Sequence, residues 1–218
     1  MQLKKDAVVL GIETSCDETA VGIVKGGRKI LADEIISSAA EHVRFGGVVP
    51  EIASRAHTEA VLEATKRALG AAGMSFGDID AIAVTYGAGL LGALLVGVSF
   101  AKGLAYALDK PLVAVNHIRG HIAAAYLADE ALEPPFVTLL ASGGHTAVIR
   151  VKDYLGHEVL GSTLDDAAGE AFDKTARVLG LEYPGGPNVE KLARQGKNAI
   201  KFPAMLKGSH TYDFSYSG

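Results

Sequence analysis

The sequence predicts a mixed α/β fold built from two related lobes. Three strand-like segments near the N-terminus are followed by alternating helices and strands, which is the pattern of a sheet covered by helices. A similar three-strand pattern begins again after residue 130. The 218 residues are 49% hydrophobic, which is enough apolar material for one large core or two smaller ones.

The elements of the first lobe are predicted from alternating apolar residues and from glycine and proline breaks. Pro50 suits the first position of a long amphipathic helix, and Gly70 is predicted to end that helix. The predicted strands cover residues 8–14, 19–24, 29–36, 81–85 and 111–115, and the predicted helices cover 50–68, 90–108 and a segment beginning near His117.

Residues 81–101 carry no charge and are nominally long enough to span a bilayer. The segment begins with the strand-like run AIAVTY and then meets three glycines, so a buried strand, a glycine turn and a packed helix are predicted instead of a membrane span. The N-terminus has no signal-peptide pattern, and a single cysteine suits a reducing compartment. We therefore expect a cytoplasmic protein with no membrane association.

An internal repeat predicts the second lobe. The segment ETSCDETAVGIVKGGRKILADEIISS has the same order of strands and turns as LLASGGHTAVIRVKDYLGHEVLGST. At one offset, Thr19-Ala20-Val21 matches Thr146-Ala147-Val148 and Ser15 matches Ser142, which indicates a duplicated supersecondary unit. Such a duplication is typical of two-lobed actin-like ATPases (the ASKHA class, with ribonuclease H-like lobes). The predicted lobes are 1–130 and 131–218, and the second is expected to be incomplete.

Two histidines, His117 and His121, lie four residues apart in VNHIRGHIAAAY. On a helix both rings fall on one face, within reach of one metal ion. The zinc-protease motif H-E-x-x-H has the same spacing, but Ile118 replaces its glutamate, so a hydrolytic water would lack a local base. Hydrogen bonding of one or both rings inside a core is the alternative interpretation.

The two hairpin turns differ in their chemistry. Ser142, Gly143 and Gly144 can present backbone N–H groups to a phosphate or carboxylate. The equivalent turn carries Asp17 and Glu18, which would repel phosphates unless a metal or a proton mediates, so they are predicted to organise a metal or to act in acid–base chemistry. Cys16, which precedes Asp17, has no His or Lys nearby in sequence to activate its thiol. It is therefore predicted to be a small packed residue.

Residues after the second hairpin suggest further ligand contacts. Asp165 and Asp166 stand where a helix should begin, and capping of that helix explains them as well as a function would. Asp173 is predicted near the apolar side of this helix, where a carboxylate needs a partner such as a ligand hydroxyl. The YPGGP turn at 183–187 and Glu190 would face the same space, although such a turn is more often a plain connector.

Charge is unevenly distributed along the chain. The formal net charge of −4 argues against a general nucleic-acid binder. Residues 174–207, however, contain seven basic side chains and only two acidic ones. A solvated surface is the usual explanation for such a stretch, and contact with a phosphate backbone is the alternative.

Six segments, in order along the chain, resemble one family. They are GIETSCDETAVGIV, GGVVPEIASRAHTEAV, NHIRGHIAAAY, SGGHTAV, DDAAGEAFDKTARVLGLEYPGGPNVEKLA and FSYSG. Together they resemble the TsaD proteins, the tRNA N6-adenosine threonylcarbamoyltransferases formerly described as O-sialoglycoprotein endopeptidases. The resemblance runs nearly from end to end, and the LEYPGGP segment and the lack of long insertions favour a bacterial member.

The resemblance implies an actin-like fold and transfer of a threonylcarbamoyl group from threonylcarbamoyl-AMP to N6 of adenosine 37 in tRNAs reading ANN codons (t6A biosynthesis). It also implies a metal bound by His117 and His121, with an aspartate beyond Gly218 as third ligand. Two histidines and a carboxylate suit iron(II), with zinc as competitor, so one Fe²⁺ or Zn²⁺ per subunit is expected. The implied substrate-binding residues are Leu140, Ala141, Ser142, Gly143, Gly144, Asp173, Gly186 and Glu190.

The implied chemistry needs no covalent nucleophile, because a mixed anhydride is already activated. A metal could polarise the carbamoyl carbonyl or bind the adenylate phosphate in a nucleotide cleft, and Asp17 or Glu18 could draw a proton from the N6 amine. An unstacked anticodon-loop base could be presented to such a cleft. The implied partners are the tRNA anticodon loop, a TsaB-like paralogue and a TsaE-like ATPase, with the helix at 50–69 as a docking face.

Three other classes of protein stay open from the sequence. An actin-like small-molecule kinase or ATPase would use the same cleft, but the histidine pair and the lack of a basic phosphate loop disfavour it. A metalloprotease keeps only the H-x-x-x-H spacing. A non-catalytic assembly paralogue would be expected to lose the histidines and the SGG and DDAAGEAFDK segments, all of which are present.

Overall fold

A computed structural model describes residues 3–217, and Met1, Gln2 and Gly218, which the predicted lobes included, lie outside it. The chain divides into two compact units, one ending at Leu132 and the other beginning at Glu133. The boundary predicted from the sequence, between residues 130 and 131, lies close to this division.

The first unit contains a five-stranded sheet with the strand order β3-β2-β1-β4-β5. The first three strands are antiparallel, and β1, β4 and β5 run parallel to one another. The strands are β1 (Val8–Glu13), β2 (Glu18–Lys25), β3 (Lys29–Ser37), β4 (Ala81–Gly87) and β5 (Leu112–Asn116). The helices are α1 (Ala39–His42), α2 (Pro50–Ala72), α3 (Leu91–Leu108) and α4 (His117–Ala128), with short 3-10 turns at Val43–Phe45 and Phe76–Asp78.

The predicted order of strands and long helices in this unit is confirmed, and the predicted end of the long helix is wrong. α2 continues through Gly70 and ends only after Ala72. Gly73 adopts a left-handed conformation with φ of 64° and donates its N–H to the carbonyl of Gly70. This is the usual way for a glycine to close a helix, so the stop signal lies three residues later than expected. The short helix α1 was not predicted.

One face of the five-stranded sheet packs against α2 and α3 and forms the core of the unit. The side chains that alternate toward these helices are fully or almost fully buried. Burial of each large aliphatic side chain contributes roughly 1.5–3 kcal/mol to stability. In the two central hairpin strands these residues are Leu10, Ile12, Val21 and Ile23.

The end of β1 is held against α3 by close backbone packing. The hydroxyl of Thr14 donates to the carbonyl of Ala93, with 2.9 Å between the oxygens. A Cβ at Gly97 would lie 2.3 Å from Thr14 Oγ1, so only glycine allows α3 to approach this closely. This contact therefore fixes the position of the turn that follows β1.

Helix α3 is long and apolar enough to cross a membrane by length and composition alone. In the structure it packs against α2 and β4, which confirms the predicted packed helix. Its other side is exposed, and Leu91, Leu95 and Tyr106 have relative exposures of 85%, 63% and 91%. The first unit therefore presents an apolar surface on α3.

The second unit contains an antiparallel three-stranded sheet with the order β6-β7-β8. From residue 194 to 213 the chain has neither helix nor strand, and Phe214 then forms a bridge to Thr163. The strands are β6 (Phe136–Ala141), β7 (Thr146–Val151) and β8 (His157–Ser162), and the helices are α5 (Ala168–Val178) and α6 (Gly185–Ala193).

The predicted duplication appears as the same three-strand meander in both units. Thr19 and Thr146, which match in the sequence repeat, are both buried. Thr19 Oγ1 lies 2.7 Å from Nδ1 of His57 on α2, and Thr146 Oγ1 accepts a hydrogen bond of 2.8 Å from the N–H of Ala168 on α5. The two units therefore share the order of their strands, and in each unit the matching threonine of the hairpin contacts a helix.

Candidate metal and substrate site

Helix α4 presents two histidine rings at one point. The side chain of Asn116 caps the helix by accepting from the backbone N–H of Ile118 at 3.0 Å and that of Arg119 at 3.4 Å. Nε2 of His117 and Nε2 of His121 lie 3.0 Å apart. The rings form a T-shaped pair with planes 80° apart, so the two nitrogens converge without stacking of the rings.

The other ring nitrogen of His117 faces the end of β1. Its Nδ1 lies 3.2 Å from Glu13 Oε2 and 3.2 Å from Ser15 Oγ. An ionised carboxylate can only accept, so Nδ1 carries the hydrogen and the Nε2 lone pair faces His121. Burial alone would raise the pKa of Glu13, but hydrogen bonds from His117, Ser15 and Thr85 outweigh it and hold that pKa at about 2.

Sequence reasoning missed Glu13 because it lies 104 residues before His117 and reads as the end of a strand. The two residues meet because β1, β4 and β5 are parallel, and the carboxyl ends of parallel strands share one edge of a sheet. That topological rule, applied to Glu13 and Asn116 at the ends of β1 and β5, is the signal that could have found it.

A cavity of about 390 Å³ lies beside the two histidines. It lies on the face of the sheet away from α2, since Gly11, Glu13, Ala20 and Gly22 of its lining alternate along β1 and β2 with the core residues. It therefore leaves room for part of a ligand next to the ring nitrogens. The lining includes the small residues Gly11, Ala20, Gly22, Ala83, Gly120 and Ala124, together with Glu13, His117 and His121.

The histidine pair fits a metal ion. Two nitrogens about 2.1 Å from one ion lie about 3.0 Å apart at the right angle of octahedral coordination and about 3.4 Å apart at the tetrahedral angle, so the 3.0 Å between His117 and His121 is close to what one ion requires. Imidazole nitrogens suit iron and zinc. Within residues 3–217, no group of three or more His, Cys, Asp and Glu side chains is arranged to hold a metal. The described part of the chain thus supplies two ligands.

The turn between β1 and β2 carries Asp17 and Glu18. Asp17 is half-buried and Glu18 is exposed at the start of β2. Cys16 is also exposed, so the prediction that it packs in the interior is wrong; its carbonyl, not its thiol, makes the inward contact. Partial desolvation of the thiol and the charge of Asp17 raise the pKa of Cys16 to about 11, in agreement with the expectation of an unactivated cysteine.

Two fully buried histidines, His42 and His57, hold this turn through its backbone carbonyls. Nε2 of His57 donates to the carbonyl of Cys16 at 2.9 Å. On the other side, the hydroxyl of Ser38 donates to the carbonyl of Asp17 at 2.7 Å, and Nε2 of His42 lies 3.2 Å from the Ser38 oxygen. Neither histidine was a sequence candidate, because nothing local marks a histidine as the support of a distant turn.

The loop of residues 142–144 connects β6 to β7 and closes on itself. Ser142 donates its N–H to the carbonyl of His145 at 2.8 Å, and Ser142 Oγ accepts from the N–H of His145 at 3.1 Å. Nothing lies within 4 Å of a Cβ built at Gly143 or Gly144, so the side of the loop on which these side chains would lie is open. Before the loop, Leu140 is buried, whereas Ala141 is exposed.

Helix α5 begins directly against this loop. The N–H of Gly169 donates to the carbonyl of Ser142 at 3.1 Å. A Cβ at Gly169 would lie 2.7 Å from Cα of Gly143 and 2.8 Å from the Ser142 oxygen. The close approach of the helix N-terminus to the loop therefore requires glycine at position 169.

Asp165 and Asp166 do not cap α5, although the sequence allowed that interpretation. The N-cap residue is Ala167, and no side chain caps the helix. Asp165 instead accepts from the N–H of Tyr216 at 2.8 Å, and Asp166 forms an ion pair with Lys174. These carboxylates therefore hold other parts of the second unit in place and do not cap a helix. The hydrogen bonds that they accept lower the pKa of each carboxyl group.

Asp173 is tied to the turn that opens α6. Its Oδ1 accepts from the N–H of Gly185 at 2.8 Å, and a Cβ at Gly185 would lie 2.7 Å from Cα of Asp173. Gly186 is half-buried beside this contact, whereas Glu190 is exposed and pairs with Arg194 at 2.7 Å. The backbone of the YPGGP turn thus supplies one partner for the Asp173 carboxylate, and Glu190 does not join the cluster.

The sheet order, the covering helices and the repeated hairpin define an actin-like α/β protein, here with a paired-histidine site on its first unit. Component A of (R)-2-hydroxyglutaryl-CoA dehydratase from Acidaminococcus fermentans has a similar fold, with a TM-score of 0.53 and 15% identity over 91% of this chain and 62% of that one. ROK hexokinase from Thermus thermophilus has a TM-score of 0.51 and 17% identity over 88% and 70% of the two chains. Both likenesses concern the fold alone.

Sequence comparison places the chain more narrowly. The TsaD family pattern, described as tRNA N6-adenosine threonylcarbamoyltransferase, matches residues 29–218, and the chain belongs to this family. A protein of that description from Clostridium perfringens is 58% identical over 212 residues, which are 97% of this chain and 62% of the relative. The chain therefore spans somewhat less than two thirds of the length of such curated relatives.

Proposed function

We propose that the protein transfers the threonylcarbamoyl group from threonylcarbamoyl-AMP to N6 of adenosine 37 in tRNAs reading ANN codons and releases AMP. The family match over residues 29–218 carries this proposal. The convergent nitrogens of His117 and His121 support it, because a metal-assisted acyl transfer needs such a site and a non-catalytic relative does not. No observation favours a protease, since Ile118 stands in the place of its base.

In the proposed reaction the N6 amine attacks the carbamoyl carbonyl carbon and forms a C–N bond. The bond from that carbon to the phosphate oxygen breaks, and its electron pair leaves with AMP. In the first unit, Asp17 or Glu18 would accept the proton released from the amine. In the second unit, the backbone N–H groups of Gly143 and Gly144 would hold the phosphate, since the N–H of Ser142 is donated to the carbonyl of His145. Fe²⁺ or Zn²⁺ held by His117 and His121 would supply Lewis-acid stabilisation of developing negative charge.

A transfer assay with defined RNA tests the proposal. The full-length protein, with the paralogue and ATPase that the family implies, would be incubated with labelled threonylcarbamoyl-AMP and a tRNA transcript. Label should enter a transcript with adenosine at position 37 and not one with guanosine there. A complete reaction that leaves the first transcript unlabelled would refute the proposal, and ATP-dependent phosphorylation of a small molecule without tRNA would indicate a kinase.

The basic segment offers a surface for tRNA phosphates. Lys197, Lys201 and Lys207 are exposed on the part of the chain that has no helix or strand. Two other basic residues of the stretch are already neutralised, because Lys174 pairs with Asp166 and Arg194 pairs with Glu190. A few exposed lysines give modest binding, so we infer that partners add further phosphate contacts. Transfer should then fall as salt rises, because counterions compete for the tRNA phosphates.

Replacing Gly169 by alanine is expected to weaken binding of AMP by roughly tenfold and to reduce the free energy of unfolding by about 1–3 kcal/mol. The added Cβ would lie 2.7 Å from Cα of Gly143, so the loop that would hold the phosphate must move. Calorimetric titration with AMP and chemical denaturation measure the two effects.

Gly70→Ala is the matched control for Gly169→Ala. It places the same methyl group inside a helix, but nothing lies within 4 Å of the new Cβ. This variant should bind AMP normally and gain up to about 1 kcal/mol of stability from the better helix propensity of alanine. Equal AMP affinities in the two variants would contradict the role assigned to the loop.

We propose that a TsaB-like paralogue docks on the exposed side of α2 and α3. A shallow groove between these helices is lined by Val61, Leu95, Val96 and Phe100 among other residues. Leu62 and Leu95 are 47% and 63% exposed, which makes this side of the helix pair apolar. A partner with its own apolar helices would bury this surface, which extends the docking face predicted at residues 50–69 onto α3.

Leu95→Asp is expected to weaken association with the paralogue by at least about tenfold, because it places a charge in the centre of the apolar groove. Leu155→Asp, at a 76% exposed position of the second unit, is the matched control and should leave association unchanged. Co-purification and analytical ultracentrifugation of the mixed proteins measure the effect. Unchanged association of Leu95→Asp would place the interface elsewhere.

A further inference from the structure

Glu13 occupies a position that the proposed reaction does not use. It ends β1, and its side chain is 34% exposed, beside His117 at 22%. One carboxylate oxygen faces Nδ1 of His117 at 3.2 Å, and the other accepts from the backbone N–H of Ser15. The carboxylate is therefore held by the backbone of the turn that follows β1 before it meets the ring.

The backbone beneath Glu13 is also fixed. The carbonyl of Ser15 accepts from the N–H of Leu90 at 2.8 Å. A Cβ at Gly89 would lie 2.6 Å from Ser15, so the loop before α3 packs tightly against the residues that follow Glu13. A side chain anchored in this way can orient a neighbour. Because Glu13 is already ordered, no further conformational entropy of its side chain is lost when the neighbour binds a ligand.

We propose that Glu13 is a positioning residue that sets the tautomer of His117, with hydrogen on Nδ1, so that Nε2 of His117 presents its lone pair, beside Nε2 of His121, to a divalent transition metal. A carboxylate on the non-ligating nitrogen of a metal-binding histidine fixes the ring orientation and increases its basicity as a ligand. This inference rests on the metal site of the proposed function, but the tautomer itself is a property of the chain without metal.

Without Glu13, His117 could adopt either of its two neutral tautomers. Nδ1 would retain the Ser15 hydroxyl, which can donate or accept and therefore does not select a tautomer. Nε2 of His117 could then carry the hydrogen and donate to His121, 3.0 Å away. A ring in that state must change its tautomer before it can bind a metal through Nε2, and the apparent affinity falls accordingly.

The test combines ring nitrogen spectroscopy with metal titration on the full-length wild-type protein and on its variants Glu13→Ala, Glu13→Gln and the control Glu63→Ala. Glu63 is an exposed helix residue that pairs only with Arg67 among the described residues. Long-range ¹H–¹⁵N spectra of the metal-free protein report which ring nitrogen of His117 carries hydrogen. Competition with a chromophoric chelator measures Co²⁺ and Zn²⁺ affinity, and the visible spectrum of the Co²⁺ form reports ligand geometry.

We expect hydrogen on Nδ1 in the wild-type protein and in Glu63→Ala, and a shift toward Nε2 in Glu13→Ala with about 10–100-fold weaker metal binding. Glu13→Gln retains an oxygen that can accept from Nδ1, so it should preserve the tautomer and much of the affinity and show that the loss in Glu13→Ala is not a folding defect. An unchanged tautomer and unchanged affinity in Glu13→Ala would overturn the proposal. If the tautomer shifts but the full-length wild-type protein binds no metal, the positioning role stands and the metal chemistry of the proposed function fails.

Discussion

Replacing both His117 and His121 by alanine is expected to remove bound iron or zinc and to reduce threonylcarbamoyl transfer by at least about 100-fold. The two Nε2 atoms lie 3.0 Å apart, and among residues 3–217 no group of three or more His, Cys, Asp and Glu side chains is placed to hold the ion instead. Metal analysis of the purified full-length protein should give about one ion per chain for the wild type and almost none for the double variant.

The matched control is His210→Ala, since His210 is exposed and far in sequence from the pair. This variant should retain both metal and transfer activity. Circular dichroism should show that the double variant keeps its helices, because α4 is capped by Asn116 and not by either histidine. A double variant that transfers at the wild-type rate would rule out metal assistance at this site, even if the wild-type protein binds metal.

The His57→Ala variant is expected to lose about 3–4 kcal/mol of unfolding free energy in the first unit. His57 is fully buried, and the change leaves a cavity, an unpaired Cys16 carbonyl and a Thr19 hydroxyl without its ring partner. The turn that carries Asp17 and Glu18 should also become more mobile. Chemical denaturation and hydrogen exchange at residues 15–19 measure the two consequences.

His57→Gln separates the loss of a hydrogen bond from the loss of volume. The glutamine amide can donate to the Cys16 carbonyl, so this variant should be more stable than His57→Ala and should protect the turn partly. His210→Ala, an exposed histidine change, should stay within about 0.5 kcal/mol of the wild type. Wild-type exchange rates at residues 15–19 in His57→Ala would show that the turn is held by other contacts.

The sequence was most informative where the signal is local. Alternation of apolar residues located the strands, and the repeat of Thr-Ala-Val located the second hairpin, which is confirmed by the same meander in both units. The end of α2 was misplaced because Gly70 and Gly73 are equally good stop signals, and only the backbone conformation at Gly73 distinguishes them. The short helix α1 was missed because four residues carry no measurable periodicity.

Roles that depend on distant partners were not visible in the sequence. Asp165 and Asp166 follow a strand and precede a helix, so capping was a reasonable interpretation, yet Asp165 binds Tyr216 fifty-one residues later. His57 appeared as one polar residue on an amphipathic helix, but it supports a turn forty-one residues earlier. In both cases the partner is determined by how distant segments of the chain pack together. A pattern within a short window of sequence does not show this packing.

The sequence by itself determined the α/β class, the duplication, the family resemblance and the i, i+4 spacing that places His117 and His121 on one helix face. These properties follow from periods and motifs contained in short windows, so they can be recognised without coordinates. Only the tertiary structure decided that Glu13 meets His117, that buried histidines support the Asp17 turn and that Gly169 packs against the loop at 142–144. The physical reason is that sheet order and helix packing bring together residues far apart in the chain, and these long-range contacts set the chemistry of each side chain.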